Sequence, residues 1–169
     1  MLDSGAMETI PTIRMADSAA DFEAARTILN AYTTWLKHVM GLDVCFQGYA
    51  EEIAQLPGKY APPSGTLLLA ELSGTPVGVL CYYKLREGIA ELKRLYVLPE
   101  GRGHHLGEAL FQAAIARARA AGYREIWLDT LTRMEAAVSM YHRLGFVPIP
   151  AYNTSHEHAP DVLYFGLRL

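Results

Sequence analysis

The sequence predicts a single mixed α/β domain, on three observations. Phe22, Ala25, Leu29, Tyr32, Leu36 and Val39 recur at intervals of three and four, the apolar face of an amphipathic helix. Runs rich in β-branched, aromatic and leucine side chains follow, bounded by Gly and Pro. Finally, the stretch Val97-Leu98-Pro99-Glu100-Gly101-Arg102-Gly103-His104-His105-Leu106-Gly107-Glu108-Ala109-Leu110 takes an extended run through a proline and a glycine-rich basic loop into an alanine-rich helix. A chain of 169 residues suits one domain with a substantial core. Its 51% hydrophobic and 20% charged residues mark it as globular rather than disordered.

Taken in order, Met1 to Glu8 reads as a flexible tail, and 9–169 as the domain. Ile13 to Met15 suggests a short strand. Ser18 is a good N-cap, with Asp21 in the capping-box place, and Gly41 closes the helix that follows. A short second helix is expected from Tyr49 to Gln55, then a loop from Pro57 to Gly65 in which Pro62-Pro63 forbids helix. Thr66 to Leu72 and Val77 to Leu85 read as a buried hairpin, and Glu87-Gly88 turns the chain into a strand from Ile89 to Val97. After the glycine-rich loop come a helix from His105 to Ala121, a strand from Arg124 to Leu131, a helix from Met134 to Leu144 capped by Gly145, and closing strands at Phe146 to Ala151 and Asp161 to Arg168.

The loop before the His105 helix is the strongest chemical signal. A helix N-terminus presents unpaired backbone N–H groups and the positive end of the helix dipole, and small residues let an anion approach them. Arg102, His104 and His105 add positive or titratable charge, where a plain turn needs none. The ligand this implies carries phosphate, above all a pyrophosphate. The Lys-Ser/Thr ending of a P-loop is missing, and Leu106 stands where a dinucleotide fingerprint needs its third glycine.

The stretch Arg102-Gly103-His104-His105-Leu106-Gly107, after a Val-x-Pro-Glu strand end, resembles the acyl-CoA signature of the GNAT family of N-acetyltransferases, written Arg/Gln-x-x-Gly-x-Gly/Ala. Arg102 and Gly107 match its first and last places, and His105 occupies that of the middle glycine. Ala136-Ala137-Val138-Ser139-Met140-Tyr141-His142-Arg143-Leu144-Gly145-Phe146 is similar to the family's helix ending in Tyr-x-x-Leu/Val-Gly-Phe. The resemblance covers residues 66 to 147 well and the rest in the order of elements. It implies a mostly antiparallel seven-stranded sheet flanked by helices, splayed between the fourth and fifth strands to admit acetyl-CoA. It further implies that the loop amides of Gly103, His104, His105, Leu106, Gly107 and Glu108, with Arg102, hold the pyrophosphate. The strand Leu95-Tyr96-Val97 would pair with the pantetheine arm, and a backbone N–H at Leu95 or Val97 would face the thioester oxygen.

Acyl transfer to an amine also needs a base for the amine and an acid for the leaving thiolate. Glu91 is the candidate base. Some members of the family place a glutamate there, and desolvation in an apolar strand would raise its pKa toward neutrality. It acts either directly or through water, and the competing reading is a glutamate paired with Lys93 or Arg94 on an exposed face. Tyr141 is the candidate acid, beside the cofactor sulfur by resemblance, with aromatic packing as its competing role. Two departures matter. His105 must keep φ negative, most simply as an early helical residue, and Met134 stands where an asparagine often helps to hold the cofactor. Trp35, His38, Asp43 and Phe46 on one side, and His156, Glu157 and His158 on the other, are candidate acceptor walls.

Net charge is −3, which argues against general nucleic-acid binding. Cys45 and Cys81 read as reduced core thiols, and no Cys or acidic cluster at ligand spacing supports a metal site. No apolar run is long enough to span a membrane, and Met1 to Glu8 is not a signal peptide. The reading is therefore a cytoplasmic acetyl-CoA-dependent N-acetyltransferase acting on a primary amine of a small molecule or peptide, without metal, with a homodimer as the candidate assembly and the oligomeric state left open. The alternatives are a non-catalytic acyl-CoA-binding sensor on the same fold and, remotely, a metal-binding regulatory domain.

Overall fold

The computed structural model describes residues 9–41, 48–154 and 161–169. Seven strands, β1 (Pro11–Met15), β2 (Thr66–Leu72), β3 (Thr75–Arg86), β4 (Ile89–Val97), β5 (Glu125–Leu131), β6 (Val147–Pro148) and β7 (Val162–Arg168), form one sheet in the order β1-β2-β3-β4-β5-β7-β6. Four helices flank it: α1 (Ala19–Val39), α2 (Tyr49–Ala54), α3 (Leu106–Ala120) and α4 (Glu135–Arg143). Every neighbouring pair is antiparallel except β4 and β5. That parallel pairing lasts for three rungs, Ile89↔Glu125, Ala90↔Ile126 and Glu91↔Trp127, beyond which the strands part. The mixed, splayed sheet is the architecture the resemblance implied.

Strand alternation assigns the two faces. Leu68, Ala70, Leu80, Tyr82, Ala90, Leu92, Ile126, Leu128 and Phe165 form one core with α3 and α4. Leu67, Leu69, Val79, Cys81 and Tyr96 form a second with α1 and α2. Val39, counted in the apolar face of the first helix, is 65% exposed. The expected strand from Phe146 to Ala151 shrinks to Val147–Pro148, since prolines at 148 and 150 remove ladder donors. Within the expected loop, Gly58–Tyr60 makes a 3₁₀ turn that buries the Tyr60 ring. Cys81 is a buried free thiol, whereas Cys45 lies outside the described residues. No described helix is long and apolar enough to cross a membrane.

The capping box at the start of α1 is present and does more than cap. Ser18 Oγ accepts from Asp21 N at 3.2 Å, and Asp21 Oδ2 accepts from Ser18 N at 3.3 Å. Arg14 of β1 donates to both Asp21 oxygens at 2.9 and 2.6 Å and, through Nε, to Glu71 of β2 at 2.9 Å. The buried Asp21 thus ties the helix to the sheet edge, and hydrogen bonds from Arg14 hold its pKa below the ordinary carboxylate value.

Asp21→Asn should destabilise the fold at pH 7 by about 1–2 kcal/mol, below the usual cost of breaking a buried pair because Arg14 is partly exposed. A carboxylate whose pKa is lower folded than unfolded stabilises above its unfolded value and loses that contribution as pH falls through the folded one. Denaturant titrations of both proteins should therefore converge as pH drops below about 4.

Candidate active site

The opening lies where β4 and β5 separate. Glu91 sits on the last shared rung, with Lys93 beyond it on β4 and Asp129 beyond it on β5. Glu91 is only 2% exposed, as a buried glutamate was expected to be, but its surroundings are not apolar. Tyr83 OH donates to its Oε2 at 2.6 Å, and Lys93 Nζ lies 2.7 Å from its Oε1. Lys93 also donates to Asp129 Oδ1 at 3.2 Å, so one ammonium bridges two carboxylates across the split. Burial opposes the charge on Lys93, yet the carboxylates of Asp129 and Glu91 outweigh it and raise the lysine pKa. The Lys93 pairing weighed from the sequence is therefore real, but in the interior rather than on an exposed face. Desolvation alone does not describe Glu91.

A loop closes this polar group from outside. Asn153 Nδ2 donates to Asp129 Oδ2 at 2.9 Å, and Tyr164 OH of β7 donates to Asn153 Oδ1 at 3.2 Å. Tyr152 stacks obliquely on Trp127, with ring centroids 5.0 Å apart, and burial raises its pKa. Outside these rings, Arg86, Trp127 and the 149–154 segment line an open cleft of about 570 Å³.

Tyr141 approaches from the α4 side. It is 7% exposed, packs against Phe111, Phe146 and Phe165, and meets the Thr130 side chain through its hydroxyl. Burial, with Tyr32 and Asp129 adding to it, raises its pKa, so the phenol remains a proton donor across the physiological range. On the α1 side, Tyr32 and Trp35 pack against Tyr96 at 5.0 and 6.1 Å. Of the expected acceptor walls, Trp35 is thus at this opening and His38 is exposed on the same helix. Asp43, Phe46, His156, Glu157 and His158 lie outside the described residues.

The loop before α3 has the openness that an anion site requires. Arg102, Gly103, His104 and His105 are exposed, and Leu106 is buried and anchors the helix. No side chain caps α3, so its first N–H groups remain available, and nothing crowds a Cβ built at Gly107. Gly101 has a different reason. A Cβ there would stand 2.9 Å from both Val77 and Val97, so glycine lets the loop leave the strand end. His105 corrects the sequence reading: it is the N-cap rather than a helical residue, at φ 55 and ψ 27 in the left-handed region. It therefore adopts a conformation that favours glycine, instead of avoiding it. The two helices that carry the motif blocks, α3 and α4, meet through Phe111 and Tyr141, with Arg143 Nη2 3.5 Å from Glu108 Oε2 on the surface.

Lys93 and Asp129 were not singled out as site residues, nor were Tyr83, Tyr152 and Asn153. Lys93 was visible only as a charge near Glu91, and no local pattern marks the others. Among the described residues, no three His, Cys, Asp or Glu side chains are grouped to hold a metal.

A sheet that splits between β4 and β5, with an uncapped helix N-terminus after β4, is the architecture that the resemblance to acyl-CoA-dependent transferases implied. Residues 24–146 match the Acetyltransferase (GNAT) family. An uncharacterized N-acetyltransferase of Schizosaccharomyces pombe is 37% identical over 131 residues, 76% of this chain and 79% of its own. A GNAT-family acetyltransferase from Staphylococcus aureus Mu50 superposes with a TM-score of 0.77 at 17% identity, covering 94% of this chain and 99% of that one. YncA of Salmonella typhimurium, described as a putative acetyltransferase with its cofactor acetyl-CoA, gives 0.67 at 21% identity, covering 94% and 93%. The chain belongs to the GNAT family of acetyltransferases. It is accordingly an acyltransferase, and the donor of that family is acetyl-CoA.

His105→Gly should leave stability unchanged or slightly raised, because it removes left-handed strain while freeing the unfolded chain. His105→Val should cost roughly 1–2 kcal/mol, since a β-branched side chain resists this φ most. Denaturant midpoints of the three proteins measure the order.

Proposed function

We propose that the protein transfers an acetyl group from acetyl-CoA to a primary amine of a small molecule or peptide in the cytoplasm. The observation that carries this reading is a buried Glu91–Lys93–Asp129 cluster that bridges β4 and β5 beyond their last rung, with the Tyr141 phenol approaching from the α4 side. The uncapped start of α3 and the exposed Arg102–His105 loop fit a diphosphate; Gly103, His104, His105, Leu106, Gly107 and Glu108 supply the amides. The free edge of β4 at Leu95, Tyr96 and Val97, no longer paired with β5, fits an extended pantetheine arm. Bound acetyl-CoA supplies the thioester. A buried free thiol at Cys81 agrees with a reducing compartment.

The residues divide the proton work. An alkylamine arrives as its ammonium and must lose one proton before it can attack. Glu91 takes that proton through water, because Tyr83 and Lys93 already engage its two oxygens. Asp129 faces the opening and attracts the ammonium, while Lys93 keeps two carboxylates from repelling each other. Tyr141 gives its proton to the departing thiolate. The second proton lost by the acceptor nitrogen replaces it, so the phenol is restored. An acyl-CoA sensor would need neither group and would release no CoA thiol in a screen of amine acceptors.

Tyr141→Phe keeps the ring packing and should lower kcat roughly ten- to a thousandfold with acetyl-CoA affinity intact. Wild-type kcat would return Tyr141 to packing alone. Glu91→Gln preserves the shape of the side chain but cannot accept the proton, and should remove most activity with acetyl-CoA affinity intact. Wild-type kcat/KM in that variant would move the base elsewhere.

A further inference from the structure

β4 contains one residue in a conformation that strands do not use. Arg94 has φ 66, in the left-handed region that disfavours an arginine. The pairing of β3 with β4 explains its place. Cys81 faces Lys93 and Val79 faces Tyr96, so two residues of β4, Arg94 and Leu95, stand against the single Leu80 of β3. This is a β-bulge, and it reverses the side-chain alternation. Lys93 and Arg94, consecutive in sequence, both have partners on the α1–α2 side or in the opening, whereas Leu95 and Val97 pack on the α3 side and Tyr96 on the α1 side. Backbone N–H groups alternate in step with side chains, so the bulge also decides which amides beyond it face the gap.

The Arg94 side chain is fastened at both its charged and its flat surface. Nε and Nη2 donate to the two oxygens of Glu52 on α2 at 2.9 and 3.1 Å, and the guanidinium lies 4.4 Å from the Tyr49 ring centroid. Glu52 is itself fixed by Tyr60 OH at 2.6 Å and by Lys59 at 3.3 Å. Burial would raise the Glu52 pKa, but these partners, Arg94 first, pull it down to about 2, so the pair stays charged. Core packing of Leu95, Tyr96 and Val97 requires one extra residue somewhere in β4. It does not say which residue takes the left-handed angle.

We propose that the Arg94–Glu52 pair is a clamp that sets the β4 bulge at residue 94, and with it the Leu95 and Val97 amides, making both residues positioning residues for acyl transfer. This rests on the reading above, in which one of those amides meets the thioester oxygen.

Three variants separate backbone placement from general stability. Arg94→Ala removes the clamp and keeps the unfavourable angle. Glu52→Gln retains an acceptor for Tyr60 and removes the charge. Arg94→Gly removes the clamp but accepts the angle freely. We expect the first two to lose roughly ten- to a hundredfold in kcat with acetyl-CoA Kd within about threefold of wild type, and Arg94→Gly to recover most of the loss. The infrared carbonyl band of bound, carbonyl-labelled acetyl-CoA reads the hydrogen bond directly. It should lie below that of the free thioester in wild type and Arg94→Gly, and move back toward it in Arg94→Ala and Glu52→Gln. If Arg94→Ala does not fold, Glu52→Gln in the Arg94→Gly background decides the matter, because with the angle already satisfied it should add no loss. Equal bands in wild type and Glu52→Gln, or an Arg94→Gly as impaired as Arg94→Ala, would overturn the clamp. A wild-type protein that binds no acetyl-CoA, or shows no band shift, would instead overturn the acetyl-CoA reading beneath it.

Discussion

The short parallel pairing between β4 and β5 decides where a site can form. Three rungs hold the strands together, and the last places Glu91 beside Trp127. Had the ladder continued, the β4 edge at Leu95 to Val97 would be spent on β5 and no extended ligand could use it. Had it stopped earlier, Lys93 would not reach Asp129 at 3.2 Å. The split leaves an ammonium and two carboxylates in a partly dry space, and such groups persist there only because each is paired.

The aromatic lining follows from the same separation. Beyond the last rung the backbones no longer fill the space, so large rings do. Tyr32, Tyr96 and Tyr141 approach from α1, β4 and α4, and Tyr83, Tyr152 and Tyr164 surround the carboxylates. A tyrosine covers apolar area yet offers one hydroxyl, which suits a wall that must exclude water and still hold polar groups. Burial raises the pKa of Tyr83, Tyr141 and Tyr152, so these hydroxyls stay neutral and donate rather than add charge.

What could be read from the sequence was what is local in it. The strand–loop–helix around Arg102 to Gly107 and the helix ending at Tyr141 to Phe146 are contiguous, and their spacing alone carries the resemblance. Ser18 and Asp21 were legible for the same reason, and their capping box formed. Lys93 with Asp129 and Arg94 with Glu52 were not, because each pair joins elements that only the tertiary fold brings together. His105 departs from a general rule. A non-glycine residue usually avoids positive φ, yet histidine tolerates the left-handed region better than most, and a helix N-cap on an exposed loop allows it. The first of the two closing strands is shorter than expected, because Pro148 and Pro150 have no N–H to donate to the ladder.

The two cores do not share the sheet equally. The core beneath α3 and α4 takes side chains from both halves, Leu80 and Leu92 before the split and Ile126, Leu128 and Phe165 after it. The core beneath α1 and α2 takes its strand residues, Leu67, Leu69, Val79, Cys81 and Tyr96, only from the first half. One core thus joins the two halves by apolar packing. Polar contacts join them elsewhere: Lys93 to Asp129, the Arg86 guanidinium over the Trp127 ring, and Arg133 to the Met40 carbonyl at the end of α1. Apolar packing is not weakened by added salt, whereas attraction between charges is screened. The two kinds of seam across the split therefore answer differently to ionic strength.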